Sequence, residues 1–342
     1  MGTLPSGAPV ETAEQSNEEM ILSFLAEGGD EFTSGSALSD KLGLTRAAVW
    51  KHVESLRNLG YRIEAVPSRG YRLVAVPDRL TSLELSPLLS THDLGRTLHA
   101  FDSLASTNAT AFELATEGAL HGEVVIAETQ TAGRGRRGRS WSSPARKNLY
   151  FSAVLRPELP PQRAPELTLV AAVAVAETVR EAGADASIKW PNDVQIGGKK
   201  VAGILTELSA EADRVHFVIL GVGVNLNAGP NDFPPEVAEL ATSLKLARGT
   251  EVPRALFTAA LWTRLEHWLD VHAEQGFAPV REAWKGLCST IGAEVLVKTE
   301  KTELRGVAED IDENGALLVR LPSGTLERVL AADVEQLKPK KA

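Results

Sequence analysis

The stretch TAGRGRRGRSW, Thr131 to Trp141, constrains the fold more than any other segment. Gly133, Gly135 and Gly138 spell G-x-G-x-x-G, a dinucleotide fingerprint. The same letters also read as a P-loop, with Arg139 in place of the lysine. Both patterns bind phosphate only where a strand precedes the glycines and a helix follows, because the helix N-terminus supplies free amides. Here VVIAETQ reads as a strand entering the loop. The exit, SSPARKNLYFSAVLRP, carries Pro144 and then the alternating Leu149, Phe151 and Ala153 of a second strand. Both phosphate folds fail on that context. What remains is a loop with Arg134, Arg136, Arg137 and Arg139 and no acid between Gln130 and Tyr150. Guanidinium forks grip phosphates and carboxylates, and glycines let the backbone close around a ligand. A solvated basic hairpin or a nucleic-acid contact is the competing reading.

Charge divides the front of the chain. Residues 1–40 contain eight Asp or Glu and no Lys or Arg, whereas residues 41–72 contain seven Lys or Arg against Glu54 and Glu64. The change coincides with a structural pattern. NEEMILSFLAEG predicts a helix stopped by Gly28 and Gly29, and SGSALSDKLGL a short second helix broken at Gly43. Thr45 is placed to cap a third, RAAVWKHVESLRNLG, with Val49, Val53 and Leu56 as its apolar stripe. Arg46, Trp50, Glu54 and Arg57 take the other face. YRIEAV and YRLVAV then form a hairpin across Pro67-Ser68-Arg69-Gly70. This is the order of a winged helix-turn-helix, with the third helix in the major groove and Arg46, Trp50, Lys51 and Arg69 at the DNA. A small protein-contact domain with a solvated basic face is the alternative.

At 342 residues the chain has room for two or three domains, and its net charge of −9 argues against a protein that coats nucleic acid throughout. A single cysteine, Cys288, leaves no internal disulfide and fits a cytoplasmic setting. The longest apolar run is too short for a bilayer, so no membrane role is expected. His267 lies within EHWLD and His272 just after it, without metal-ligand spacing, and no metal site is expected.

Three further stretches bear on the loop: IKWPNDV (188–194), GGKKVAGILTEL (197–208) and VILGVGVNLN (218–227). Singly, each reads as a hairpin turn, a paired surface lysine or a strand end. Together with the arginine loop, in this order, they resemble the biotin–protein ligases. With the front domain the chain looks like the bifunctional biotin ligase and biotin-operon repressors, from about residue 18 onward. Lipoate ligases share the fold but lack the Arg-Gly loop and the Lys-Trp-Pro-Asn-Asp run.

The resemblance implies an α+β multidomain chain. Its expected parts are a tail (1–17), a winged helix-turn-helix (18–77), a mixed α/β ligase domain (78–290) and an SH3-like barrel (291–338). It implies an ATP-dependent enzyme that makes biotinyl-5′-AMP and passes biotin to a lysine of a biotin carboxyl carrier protein. ATP would arrive with Mg²⁺, and biotin and ATP are substrates, with no tightly bound cofactor. Arg134, Arg136, Lys200 and Asp193 would carry catalysis. Ser106, Thr107, Asn108, Gln130 and Gly135 would join Arg134, Arg136 and Lys200 on biotin. Trp141, Asn192 and Asn225, with Arg136 and Lys200, would hold the adenylate. Ser106 or Thr107 could instead be a helix N-cap. The adenylate-bound form would be a homodimer on operator DNA, paired through edge strands of the central sheet. A ligase whose front domain does not repress, and a non-catalytic ligand sensor, remain the alternatives.

Overall fold

The structure is a computed structural model and describes residues 16–298, 303–330 and 332–337. The tail expected over 1–17 lies, up to residue 15, outside the described residues. The front domain contains helices α1 (Asn17–Glu27), α2 (Gly35–Leu42) and α3 (Arg46–Asn58), then strands β1 (Arg62–Val66) and β2 (Gly70–Ala75). Ser16 and Glu19 form a reciprocal capping box that starts α1. Thr45 accepts from Ala48 N at 3.2 Å and starts α3, as its position in the sequence implies. Val49, Val53 and Leu56 are fully buried against Ile21, Leu25 and Leu38, a core separate from the rest of the molecule.

The central domain begins with α4 (Ser82–Leu85), β3 (Leu98–Phe101), α5 (Thr107–Glu117), β4 (Val124–Ala127), β5 (Leu149–Leu155) and α6 (Glu166–Glu181). It continues through β6 (Ala186–Lys189), β7 (Asp193–Ile196), β8 (Lys199–Ala210) and β9 (Val215–Val224). The helices α7 (Pro235–Ala238), α8 (Leu244–Arg248), α9 (Arg254–Gln275) and α10 (Phe277–Leu287) complete it. The seven strands form one mixed sheet in the order β3-β4-β5-β9-β8-β7-β6, parallel only between β3 and β4. One face is sealed by α6, α9 and α10 around Phe151, Val173, Trp262 and Trp284. On the other, α5 covers only β4, β5 and β9. The remainder of that face is free to floor a site.

β10 (Glu294–Lys298), β11 (Glu303–Ile311), β12 (Leu317–Arg320), β13 (Leu326–Val329) and β14 (Asp333–Gln336) make a five-stranded antiparallel sheet at the C-terminus. Trp190 ties it to the central domain, its indole N–H donating to Gly315 O at 3.0 Å.

A buried arginine fastens the front domain's linker. Arg254 at the start of α9 is fully buried and binds Asp78 in the linker (2.9 Å) and Glu128 beyond β4 (2.6 Å). Glu128 also accepts from Leu80 N at 3.1 Å. Removing one member of such a buried pair leaves an uncompensated charge, at a cost of about 3–5 kcal/mol. Arg254→Met is expected to lower the urea midpoint accordingly, and an unchanged midpoint would show that Arg254 does not anchor the linker.

Candidate active site

The arginine loop folds as a hairpin on itself. Trp141 N donates to Gly133 O at 2.8 Å and Gly135 N to Arg139 O at 2.6 Å, while β5 follows where a phosphate-binding helix would be required. Below it lies a cavity of about 680 Å³ floored by the open face of the sheet. Trp141 lies on two glycines of that floor. A Cβ on Gly223 would come within 2.6 Å of the indole, closer than side-chain carbons approach, and one on Gly203 within 3.0 Å, so the glycines make room for the ring. The indole nitrogen of Trp141 is buried with no hydrogen-bond partner among the described residues. A donor in that state is available to a ligand.

Cations converge beside the tryptophan. Lys200 Nζ sits 2.5 Å from Asp193 Oδ1 and 5.4 Å from the Trp141 ring centroid. Arg136 donates to Asn192 Oδ1 at 3.0 Å, and Asn192 is fixed by donating to Ile204 O at 2.8 Å. Burial lowers the proton affinity of Arg136 below that of a free guanidinium. The direction reflects a charge drawn partly out of water, where an anion is attracted more strongly. Arg134 reaches Glu207 on β8 at 3.3 Å. Arg137 and Arg139 turn away to the C-terminal sheet, where both meet Asp333.

The polar wall at α5 differs from a local reading of its sequence. Ser106 occupies the N-cap position but makes no capping bond. The cap comes from Gln130, whose side-chain oxygen accepts from Thr107 N at 2.8 Å. Ser106 is thereby left facing the cavity. Thr107 also donates its hydroxyl to Gln130, at 3.2 Å, and accepts from Ser152 at 2.8 Å. Asn108 lines the cavity, yet its amide is committed to Glu207 (2.7 Å), Leu205 O (3.2 Å) and Ser152 (2.6 Å). Asn225 is similarly held, donating to Thr242 O at 3.1 Å and accepting from Asn148 at 3.3 Å. Both shape the wall more than they offer free hydrogen-bonding atoms.

Glu207 and Asp333 are the site's unforeseen residues. Glu207 carries a faint signal, an acid within the largely apolar GILTEL. Asp333 carries none, standing 194 positions from Arg139. Among the described residues no cluster of three or more His, Cys, Asp or Glu could hold a metal ion.

On the front domain, Arg46 and Lys51 are exposed on α3 and Trp50 is 57% exposed, an unusual place for an indole without a partner. Arg69 at the hairpin turn lies over the Phe32 ring, 4.2 Å from its centroid. Arg57 folds back onto Ile63 O and Glu54 and is withdrawn from that face.

The strands that floor this cavity and the arginine hairpin above it fall within residues 100–225, which match the family model of the biotin/lipoate A/B protein ligases. The flanking regions match a helix-turn-helix domain over 17–72 and the biotin protein ligase C-terminal domain over 290–336. The chain is 42% identical over 316 residues to the bifunctional ligase/repressor BirA of Bacillus subtilis, covering 92% of this chain and 97% of that protein. It is 34% identical to the protein of the same name in Escherichia coli, over 87% of this chain and 91% of that one. A solved biotin protein ligase from Aquifex aeolicus, in complex with biotin and ATP, superposes with a TM-score of 0.61 at 28% identity, over 70% of this chain and 99% of its own. This chain belongs to the biotin protein ligase family.

Proposed function

We propose that this biotin–protein ligase condenses biotin with ATP in the cavity to give biotinyl-5′-AMP, and then passes biotin to a lysine of a biotin carboxyl carrier protein. The observation that carries the reading is the convergence of Lys200, Asp193, Arg136 and Asn192 beside a tryptophan bedded on two glycines. Two anions, a carboxylate and an α-phosphate, must meet for the adenylate to form, and fixed cations at their meeting point lower that barrier. Lys200 and Arg136 supply them, and Arg134 leaves Glu207 for the ligand. Asp193 holds Lys200 in place and orients the incoming lysine amine. Ser106, Thr107, Gln130 and Gly135 border the biotin end, with Asn108 shaping it. Trp141 and Asn225 border the adenine. Mg²⁺ enters with ATP, held largely by the phosphates. The domain limits that suit this reading are 18–77, 78–290 and 291–338, and the single cysteine suits a cytoplasmic enzyme.

The same adenylate promotes a homodimer that binds operator DNA through Arg46, Trp50, Lys51 and Arg69. Two features of the sheet support a particular dimer edge. The outer edge of β6 is covered, Ser289 N donating to Ile188 O at 2.9 Å. β7 pairs with β8 only as far as Gly203, which leaves Thr206–Ala210 as an open strand edge bearing the exposed Leu208. Incubation with labelled biotin, ATP and a carrier domain tests the enzymatic reading. Label is expected on the carrier lysine only when ATP is present, and an unlabelled carrier would overturn the assignment.

A further inference from the structure

One cation on the cavity floor has no place in the mechanism above. Gly223, Gly203, Asp193 and Lys189 are successive register partners on β9, β8, β7 and β6. Directly paired residues present their side chains to the same face, so the four form one row across the floor. Strands lie about 4.8 Å apart, which puts Lys189 one spacing beyond Asp193, two beyond Gly203 and three beyond Gly223. Along this row the aromatic platform comes first, the Lys200–Asp193 pair next and Lys189 last.

Partnership sets Lys189 apart. Arg134 is held by Glu207, Arg136 by Asn192, Arg139 by Asp333 and Lys200 by Asp193. Lys189 is half-buried, lines the cavity, and has no ion pair or side-chain hydrogen bond among the described residues. A half-buried ammonium that forms no ion pair of its own, its neighbour Asp193 being engaged by Lys200, attracts an anion. ATP laid along the row, with its α-phosphate at Lys200, extends its β- and γ-phosphates toward Lys189.

We propose that Lys189 is a further catalytic residue that binds the β- and γ-phosphates of ATP and neutralises the departing pyrophosphate. This rests on the ligase reading. As a biotin carboxylate oxygen bonds to the α-phosphorus, the bond from that phosphorus to the oxygen shared with the β-phosphate breaks. Its electron pair leaves on pyrophosphate, and Lys189 meets the charge that develops there. The residue therefore serves the first half-reaction and not the second, in which AMP is the leaving group.

Lys189→Met and Lys189→Arg, compared in two assays, test this. In Lys189→Met, biotin-dependent ATP–pyrophosphate exchange is expected to slow by about 10²-fold, with raised KM for ATP and for pyrophosphate. Single-turnover transfer from synthetic biotinyl-5′-AMP to a carrier domain stays at the wild-type rate, and Lys189→Arg recovers most of the exchange. Unchanged exchange in Lys189→Met overturns the proposal, and so does an equal loss in both half-reactions, which marks a structural role. A wild-type chain with no biotin-dependent exchange overturns the ligase reading itself.

Discussion

Lys200→Ala and Arg136→Ala are each expected to slow biotin-dependent ATP–pyrophosphate exchange by about 10²–10³-fold, the usual cost of one preorganised charge contact at a reacting centre. Both side chains line the cavity in which the proposed reaction brings a carboxylate and a phosphate together, and neither is part of the buried apolar core. Removing Lys200 also leaves Asp193 without its counter-ion, 2.5 Å away in the intact protein. A carboxylate facing an incoming triphosphate adds repulsion to the lost attraction. Lys200→Ala should therefore be the more damaging of the two. Arg136→Ala frees Asn192, which keeps its bond to Ile204 O and so stays in position. Unfolding midpoints close to wild type are expected for both variants, since the groups are only half-buried. Normal exchange in both would show that the adenylate forms elsewhere.

The second large effect is on DNA. A front domain with seven cations and two acids over residues 41–72 neutralises few phosphates by itself and should bind DNA weakly. Two such domains on one dimer reach two half-sites, and effective concentration typically adds about 10²–10⁴-fold in avidity. Glu207 links the proposed adenylate site to the proposed dimer edge. It lies on the open Thr206–Ala210 segment and holds both Arg134 from the loop and Asn108 from α5. A ligand that draws Arg134 away changes the charge balance of that segment and favours one pairing state over the other. Operator affinity is expected to rise by about 10² or more when biotin and ATP are added at fixed salt, and to fall again when a carrier domain consumes the adenylate. A gel-shift titration on the protein's own upstream region and on biotin-gene promoters would measure this. Equal binding with and without the adenylate would leave a ligase whose front domain does not respond to it.

Much of the architecture was legible because it is written in short-range signals. The helix-turn-helix follows from a 3.6-residue apolar period, the Thr45 cap and the glycine stops, all within a few residues of where they act. The exclusion of a dinucleotide fold rests on Pro144 and the two-residue alternation after it, and β5 stands there. Helix α5 shows where local reading stops. Ser106 has the residue type and position of an N-cap, but Gln130, 23 residues from Thr107, takes the role. Nothing near Ser106 could have shown it.

By itself, then, the sequence determined the order of the domains, the strand-to-strand setting of the arginine loop and the identity of the cations available to it. These depend on periodicity, turn chemistry and residue type, which act over a few positions. Only the tertiary structure decided which acid each cation meets: Glu207, 73 residues from Arg134, and Asp333, 194 from Arg139. It alone decided that Asn225 and Asn108 are committed to the wall, that Lys189 stands unpaired among the described residues in a row with Asp193 and two glycines, and that the far half of β8 has no strand on its β7 side. Each of these is a matter of strand register and sheet packing. A one-residue slip in register would turn the side chains of a whole strand to the opposite face, so these partnerships exist only in the assembled sheet.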